Sequence, residues 1–357
     1  MVEHAIGNGE VSGSIPDLGS SLSIIYMYKE SKQILEEIKK ANKILLHCHP
    51  MPDPDSVGSV LAMKFVLESM NKKVTVIKGD SNIPEAFIHF PGARDIVNKN
   101  FYEIEQDDFD LFIILDSGSS QMISKIKTPV FPLLIKTIVI DHHITNEKYA
   151  DINLIDTTSP ATCQILFNLF KDWEIEITKE IATNLFIGLY TDTGAFKYPP
   201  SDYHTLEIAS ELAKIAPDYE KTIFIMENSL TKEAIYFQAI ALSSVKTFLN
   251  DNIAIAIVSN EDLIKNKIPE EYIRGISISN ILKSVIGWNI GISMIEIESN
   301  IVKISCRTRD IEKYDVSKLA SALGGGGHKG AAGVVLNMPL EEAVSKVVDT
   351  VKVVYNL

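Results

Sequence analysis

The chain has 357 residues, 46% of them hydrophobic, and a formal net charge of −13. That length allows two domains with separate cores, and the charge argues against a protein that grips long nucleic acid through its phosphates, which calls for a basic surface. No apolar run approaches the ~20 residues needed to span a bilayer, and three cysteines (Cys48, Cys163 and Cys306) show no metal-ligand spacing and by their odd number argue against a disulfide framework.

Residues 1–27 are rich in glycine, serine and polar side chains and read as a flexible tail, with His4 a solvated side chain. The tail lacks the basic stretch and apolar core of a signal peptide, so a cytoplasmic protein with no membrane contact is expected. Helical spacing covers 28–41, and an apolar strand follows near 43–48, with Cys48 pointing away from its neighbour His49. The strand runs straight into His49-Pro50-Met51-Pro52-Asp53-Pro54-Asp55, and a helix begins at Ser56. Prolines stiffen this turn and Gly58 permits close approach, so an imidazole and two carboxylates are held on a short, rigid segment.

The grammar then repeats. Strands are expected near 73–78, 111–116 and 137–141, with helices between most of them, which implies a largely parallel sheet covered on both faces. The acidic run Glu103 to Asp110 is a solvated connection. Asp116 ends the apolar run Leu111 to Leu115, and Asp141-His142-His143 follows Ile138-Val139-Ile140. Residues 160–230 read as mainly helical, and Asp192 closes the helical pattern from Ile181. Open α/β folds place their sites at the carboxyl ends of such strands. A lone aspartate after a strand is more often a turn or capping residue, so the weight rests on the set of clusters.

A helical linker is expected at 201–235, then a second α/β domain at 236–357 with strands at 253–258, 291–297 and 301–306. Arg307 follows the last of these, and Gly324-Gly325-Gly326-Gly327-His328 lies beyond it. Read alone, Arg307 could pair with an acid on a sheet face, and the glycines could form a flexible loop. Read with the acids and imidazoles, the glycine backbone offers an anion-binding nest. Imidazole and carboxylate donors without thiolate suit two divalent ions, Mn²⁺ first, with Mg²⁺, Co²⁺ or Zn²⁺ as alternatives. Two such ions clamp the attacking and leaving oxygens of an in-line displacement, which fits phosphate ester hydrolysis.

At these positions the chain resembles the DHH phosphoesterase superfamily, and Ser305 to Thr308 with the glycine-histidine segment resembles its DHHA1 domain. The combination is similar to the stand-alone proteins known as nano-RNases or pAp phosphatases. The resemblance implies a DHH domain over 28–200 and a smaller DHHA1 domain, with the active-site cleft between them. It implies that His49 and Asp53 bind one metal, that Asp55, His142 and Asp192 bind the other, and that Asp116 bridges both. Asp141 is then expected to orient His142 through a hydrogen bond, with His143 facing the substrate as an acid or phosphate contact. Arg307, the glycines and His328 are expected to contact the phosphate or nucleotide of a short oligonucleotide or nucleotide bisphosphate. A homodimer is compatible with the resemblance. Two departures stand out: Ser119 occupies a position where the family often has an acid, and Gln164 one where relatives commonly have Glu. Readings as a pyrophosphatase of the superfamily, a cyclic-dinucleotide phosphodiesterase or a nucleotide-binding sensor without turnover rank below.

Overall fold

The computed structural model describes residues 28–269, 273 and 277–357; the expected tail 1–27, with His4, lies outside them. The chain divides after Ser229 into two compact units.

The first unit runs α1 (Ser31–Lys40), β1 (Lys43–His47), α2 (Pro54–Ser69), β2 (Lys73–Ile77), β3 (Leu111–Leu115), β4 (Lys136–Asp141), β5 (Ile152–Ile155), α3 (Thr162–Asp172), α4 (Lys179–Asp192), α5 (Tyr203–Ile215) and α6 (Tyr219–Glu227). Its sheet has five parallel strands in the order β2-β1-β3-β4-β5, with Leu46 opposite Ile113 and Ile113 opposite Ile138. Both faces are buried, which is why β3 reads as an unbroken apolar run. Ile44, Leu46, Ile113, Leu115, Ile138 and Ile140 meet the helices on one face. Leu45, Phe112, Ile114 and Val139 on the other face pack against Phe101, Ile123 and Ile135 from irregular connections.

The helices expected between most strands are therefore a correction: among the described residues of the first unit, only α2 joins consecutive strands as an α-helix, between β1 and β2. Pro84, Pro91-Gly92, Pro129 and Pro132 punctuate the longer connections, which fold as short 3₁₀ turns and loops yet still bury aromatic side chains. Strand β5 adds an element the sequence pattern did not announce.

The segment 201–235 carries α5, α6 and the start of the next helix, and Ile208, Ala209 and Leu212 of α5 belong to the first core. The second unit, Leu230–Leu357, contains α7 (Lys232–Ser243), β6 (Lys246–Phe248), β7 (Ile253–Val258), α8 (Asn260–Lys265), α9 (Ile278–Lys283), β8 (Ile290–Glu298), β9 (Ile301–Thr308), α10 (Val316–Ala322), β10 (Gly326–His328), β11 (Ala331–Asn337) and α11 (Leu340–Tyr355). These strands form a six-stranded sheet in the order β10-β11-β9-β8-β7-β6, antiparallel except for the β7–β8 pair. In β9, Val302, Ile304, Cys306 and Thr308 are buried while the residues between them are half-exposed. The inward set packs with Leu319 of α10 and Val347 of α11, and Ala254, Ala256 and Ile295 pack against Phe237, Ile278 and Leu282. No helix among the described residues is long and apolar enough to cross a membrane.

Candidate active site

The acids and histidines of the first unit come from the carboxyl ends of β1, β3 and β4 and from the end of α4. After β1, the His49 to Asp55 turn is stapled to the helix it precedes: Asp53 caps α2 by accepting from the Ser56 amide at 2.9 Å, and Ser56 Oγ accepts from the His49 amide at 3.1 Å. Pro54 occupies the first helical turn, where a missing N–H costs nothing. A Cβ at Gly58 would lie 2.6 Å from the Asn184 carbonyl, so the glycine lets α2 and α4 touch backbone to backbone. Asp116 follows β3 in the left-handed region, φ 52°, with its amide donating to Ile140 O at 3.1 Å. Such a backbone is costly outside glycine and clusters at functional sites.

Around Asp116 the expected residues converge. Its Oδ2 lies 3.9 Å from His49 Nε2 and its Oδ1 lies 3.5 Å from His142 Nε2. His49 Nε2 is also 3.3 Å from Asp53, and His142 Nε2 is 3.2 Å from Asp192. Three groups have donor atoms all within 4.8 Å of one another: His49, Asp53 and Asp116; Asp55, His142 and Asp192; and Asp116, His142 and His143. The first two share no residue, and Asp116 is within reach of a histidine in each.

The electrostatics of this cluster favour divalent cations. Burial, with the Asp116 charge behind it, pushes the Asp55 carboxyl up to about 7. Burial and then the charges of Asp55 and Asp116 raise Asp192 well above the ordinary carboxylate range. Burial pulls His142 down, but Asp116, Asp55 and Asp192 more than reverse this and hold it at about 10. Carboxylates crowded so closely resist carrying their full charge until cations are placed among them. The buried His49 Nδ1 has no hydrogen-bond partner, so its ring is held from one side only. Nitrogen and oxygen donors at these separations fit a divalent metal.

Asp141 differs from expectation. Its carboxylate takes His143, with Nδ1 at 2.7 Å from Oδ1, while His142 turns to Asp116 and Asp192. The cause is the period of an extended chain, in which residues two apart share a side. Asn146 completes the arrangement, donating to Asp141 Oδ2 at 2.6 Å and to Ser117 O at 3.3 Å. Sequence reasoning missed Asn146 and also Thr162. The Thr162 amide donates to Asp55 Oδ2 at 2.7 Å, its hydroxyl donates to Asp116 Oδ1 at 3.1 Å, and the Cys163 amide donates to Asp55 Oδ1 at 3.1 Å. The available signal was a threonine two residues after Ser159-Pro160, at the start of a helical pattern. Gln164 Oε1 accepts from Thr205 Oγ1 at 2.9 Å. Cys48 is buried in the helix-side core.

In the second unit the glycine run is a cap and a strand. Gly324, φ 88°, follows α10; its amide donates to Ser321 O at 3.0 Å, and the Gly325 amide donates to Ala320 O at 2.8 Å. This is the Schellman pattern that ends a helix. Gly326 and Gly327 then enter β10 at the sheet edge, where a Cβ on Gly327 would fall 2.5 Å from Ala332 Cα. A nest made of all four amides is thus corrected, because two of them cap α10. Register lines up another set: His328 lies opposite Ala331, and Ala331 opposite Arg307. Arg307 and His328 therefore stand on one face, two strands or about 10 Å apart, with a small residue between them.

Comparison with known proteins agrees with this architecture. The family described as DHH family, N-terminal domain, matches residues 43–189, and the DHHA1 domain matches residues 250–356. A Streptococcus mutans protein named probable bifunctional oligoribonuclease and PAP phosphatase NrnA is 27% identical over 304 residues, 85% of this chain and 92% of its own length. The Thermus thermophilus protein named bifunctional oligoribonuclease and PAP phosphatase NrnA is 25% identical over 333 residues, 91% of this chain and 94% of its own. The crystal structure of an exopolyphosphatase-related protein from Bacteroides fragilis shares the fold, with a TM-score of 0.80 at 24% identity over 92% of this chain and 98% of that one. With a DHH match that spans His49 to His143 of the cluster and a DHHA1 match that spans Arg307 and His328, the chain belongs to the DHH family of phosphoesterases.

Proposed function

We propose that the protein is a two-metal phosphoesterase that hydrolyses short oligonucleotides, 3′-phosphoadenosine 5′-phosphate, or both, to mononucleotides. The observation that carries this reading is the pair of donor sets, His49 with Asp53 and Asp55 with His142 and Asp192, each with a histidine within 4 Å of the single carboxylate of Asp116. His49 and Asp53 would hold one ion, Asp55, His142 and Asp192 the other, and Asp116 both. Manganese suits this mixture of imidazole and carboxylate best. Two ions there would supply charge neutralisation and water activation for displacement at phosphorus.

The chain's own groups do the rest. Asp116 fixes the spacing of the two ligand sets. His143, held through Nδ1 by Asp141, presents its other nitrogen for proton transfer to the leaving oxygen. Arg307 and His328, aligned across three strands, bind substrate phosphates, for which the planar guanidinium is suited. The names of the S. mutans and T. thermophilus relatives support this substrate class.

The test is a parallel assay of the purified protein with Mn²⁺ on 3′-phosphoadenosine 5′-phosphate, pApA, short RNA, short DNA, long single strands and pyrophosphate. Release of mononucleotides from the short substrates, with little from long strands, is expected. Turnover of pyrophosphate alone, or binding of nucleotides without any hydrolysis, would overturn the reading.

A further inference from the structure

Thr162 sits where the two ligand sets meet. It is fully buried, begins α3, and acts through two atoms, its amide on Asp55 and its hydroxyl on Asp116. The amide contact needs no particular side chain, since any residue but proline supplies it. The hydroxyl is what threonine adds. Asp116 hangs from a left-handed backbone, so the direction of its Cβ is set, but its carboxylate plane turns on a broad torsion between sp³ and sp² carbons. Oδ1 faces His142 and His143, at 3.5 and 3.8 Å, and Oδ2 faces His49. Which oxygen faces which set depends on that torsion, and the Thr162 hydroxyl bonds Oδ1 directly at 3.1 Å.

We propose that Thr162 is a positioning residue of the metal centre, its hydroxyl fixing the plane of the Asp116 carboxylate so that one oxygen serves each ligand set. The inference rests on the metal-centre reading above. Outer groups that orient ligands typically change metal affinity about 10- to 100-fold when removed.

The experiment is Mn²⁺ titration of the full chain, followed by electron paramagnetic resonance of the free ion, for wild type, T162V, T162A and T162S, with thermal unfolding of each metal-free protein. T162V and T162A remove the donor while differing in shape, so misfolding of one leaves the other to be read. Both are expected to lose about 10- to 100-fold in Mn²⁺ affinity with unfolding close to wild type, and T162S to stay near wild type in both. Wild-type affinity in T162V or T162A overturns the proposal, as does a loss in T162S equal to theirs, because serine keeps the donor. A wild-type protein that takes up no Mn²⁺ overturns the metal centre and this role with it, whereas a loaded wild type and an equally loaded T162V overturn the role alone.

Discussion

Strands β1, β3 and β4 of the five-stranded sheet are covered on both faces, and polar groups collect where these strands stop; strands β9 and β11 of the six-stranded sheet bury alternate residues, and their polar groups lie along the strand in rows set by register. Metal-type donors come together in the first unit because neighbouring parallel strands end side by side, each in a turn that redirects one or two side chains. Arg307 and His328 come together in the second because cross-strand partners share a face. On the proposed function one unit holds ions and the other holds substrate phosphates, and this division of labour can be broken or sharpened residue by residue.

The largest expected effect is that of Asp116→Ala. Removing the carboxylate common to both ligand sets should lower bound metal, measured by elemental analysis, and cost about a thousandfold in kcat, since metal charge stabilisation is worth several kcal/mol. Full metal content with an intact rate would end the division. Arg307→Ala should do the reverse: metal content unchanged and KM raised about 10- to 100-fold, the worth of a hydrogen bond to a charged group. A fall in bound metal in that variant would show that the second unit is no mere substrate holder.

Gly188→Ala probes how tightly α4 is pressed on the site. A Cβ there would lie 2.3 Å from Cys163 Sγ and 2.7 Å from Asp55 Oδ1, so a loss of about 1–3 kcal/mol in urea unfolding is expected. Acidity should weaken metal binding by the first unit. With Asp55 at about 7 and His142 at about 10, the metal-free site holds protons at neutral pH that an ion must displace. Mn²⁺ affinity should rise with pH from about 6 to 8, by up to about tenfold per unit for each proton displaced, and titration in weak buffer should show proton release. Affinity that does not vary across that range would contradict it. The smallest effect is that of Gly326→Ala, where a Cβ meets nothing within 4 Å. Its unfolding free energy should stay within about 0.5 kcal/mol of wild type.

The same contrast explains what could be read from the residues in order. Strands β1, β3 and β4 were legible because burial on both faces writes them as continuous apolar runs, and the acids that end them stand out. Asp53, Asp55, Asp116 and His142 stood out as candidates for that reason, and Asp192 because it closes the helical pattern of α4. Strand β10 was not legible, because Gly324 to Gly327 has the composition of a loop and only pairing with β11 makes part of it strand. Partners were harder still. Asp141 and His143 share a side by the period of an extended chain, but no local pattern says that Thr162, 46 positions from Asp116, reaches it.

Asp116 adopts a twist of the main chain that aspartate, asparagine and glycine tolerate far better than most other residues. A longer acid such as glutamate would meet both a steric obstacle and a changed reach at this position. On the proposed two-metal reading, the distance between the two donor sets is in this way written into the main chain at Asp116.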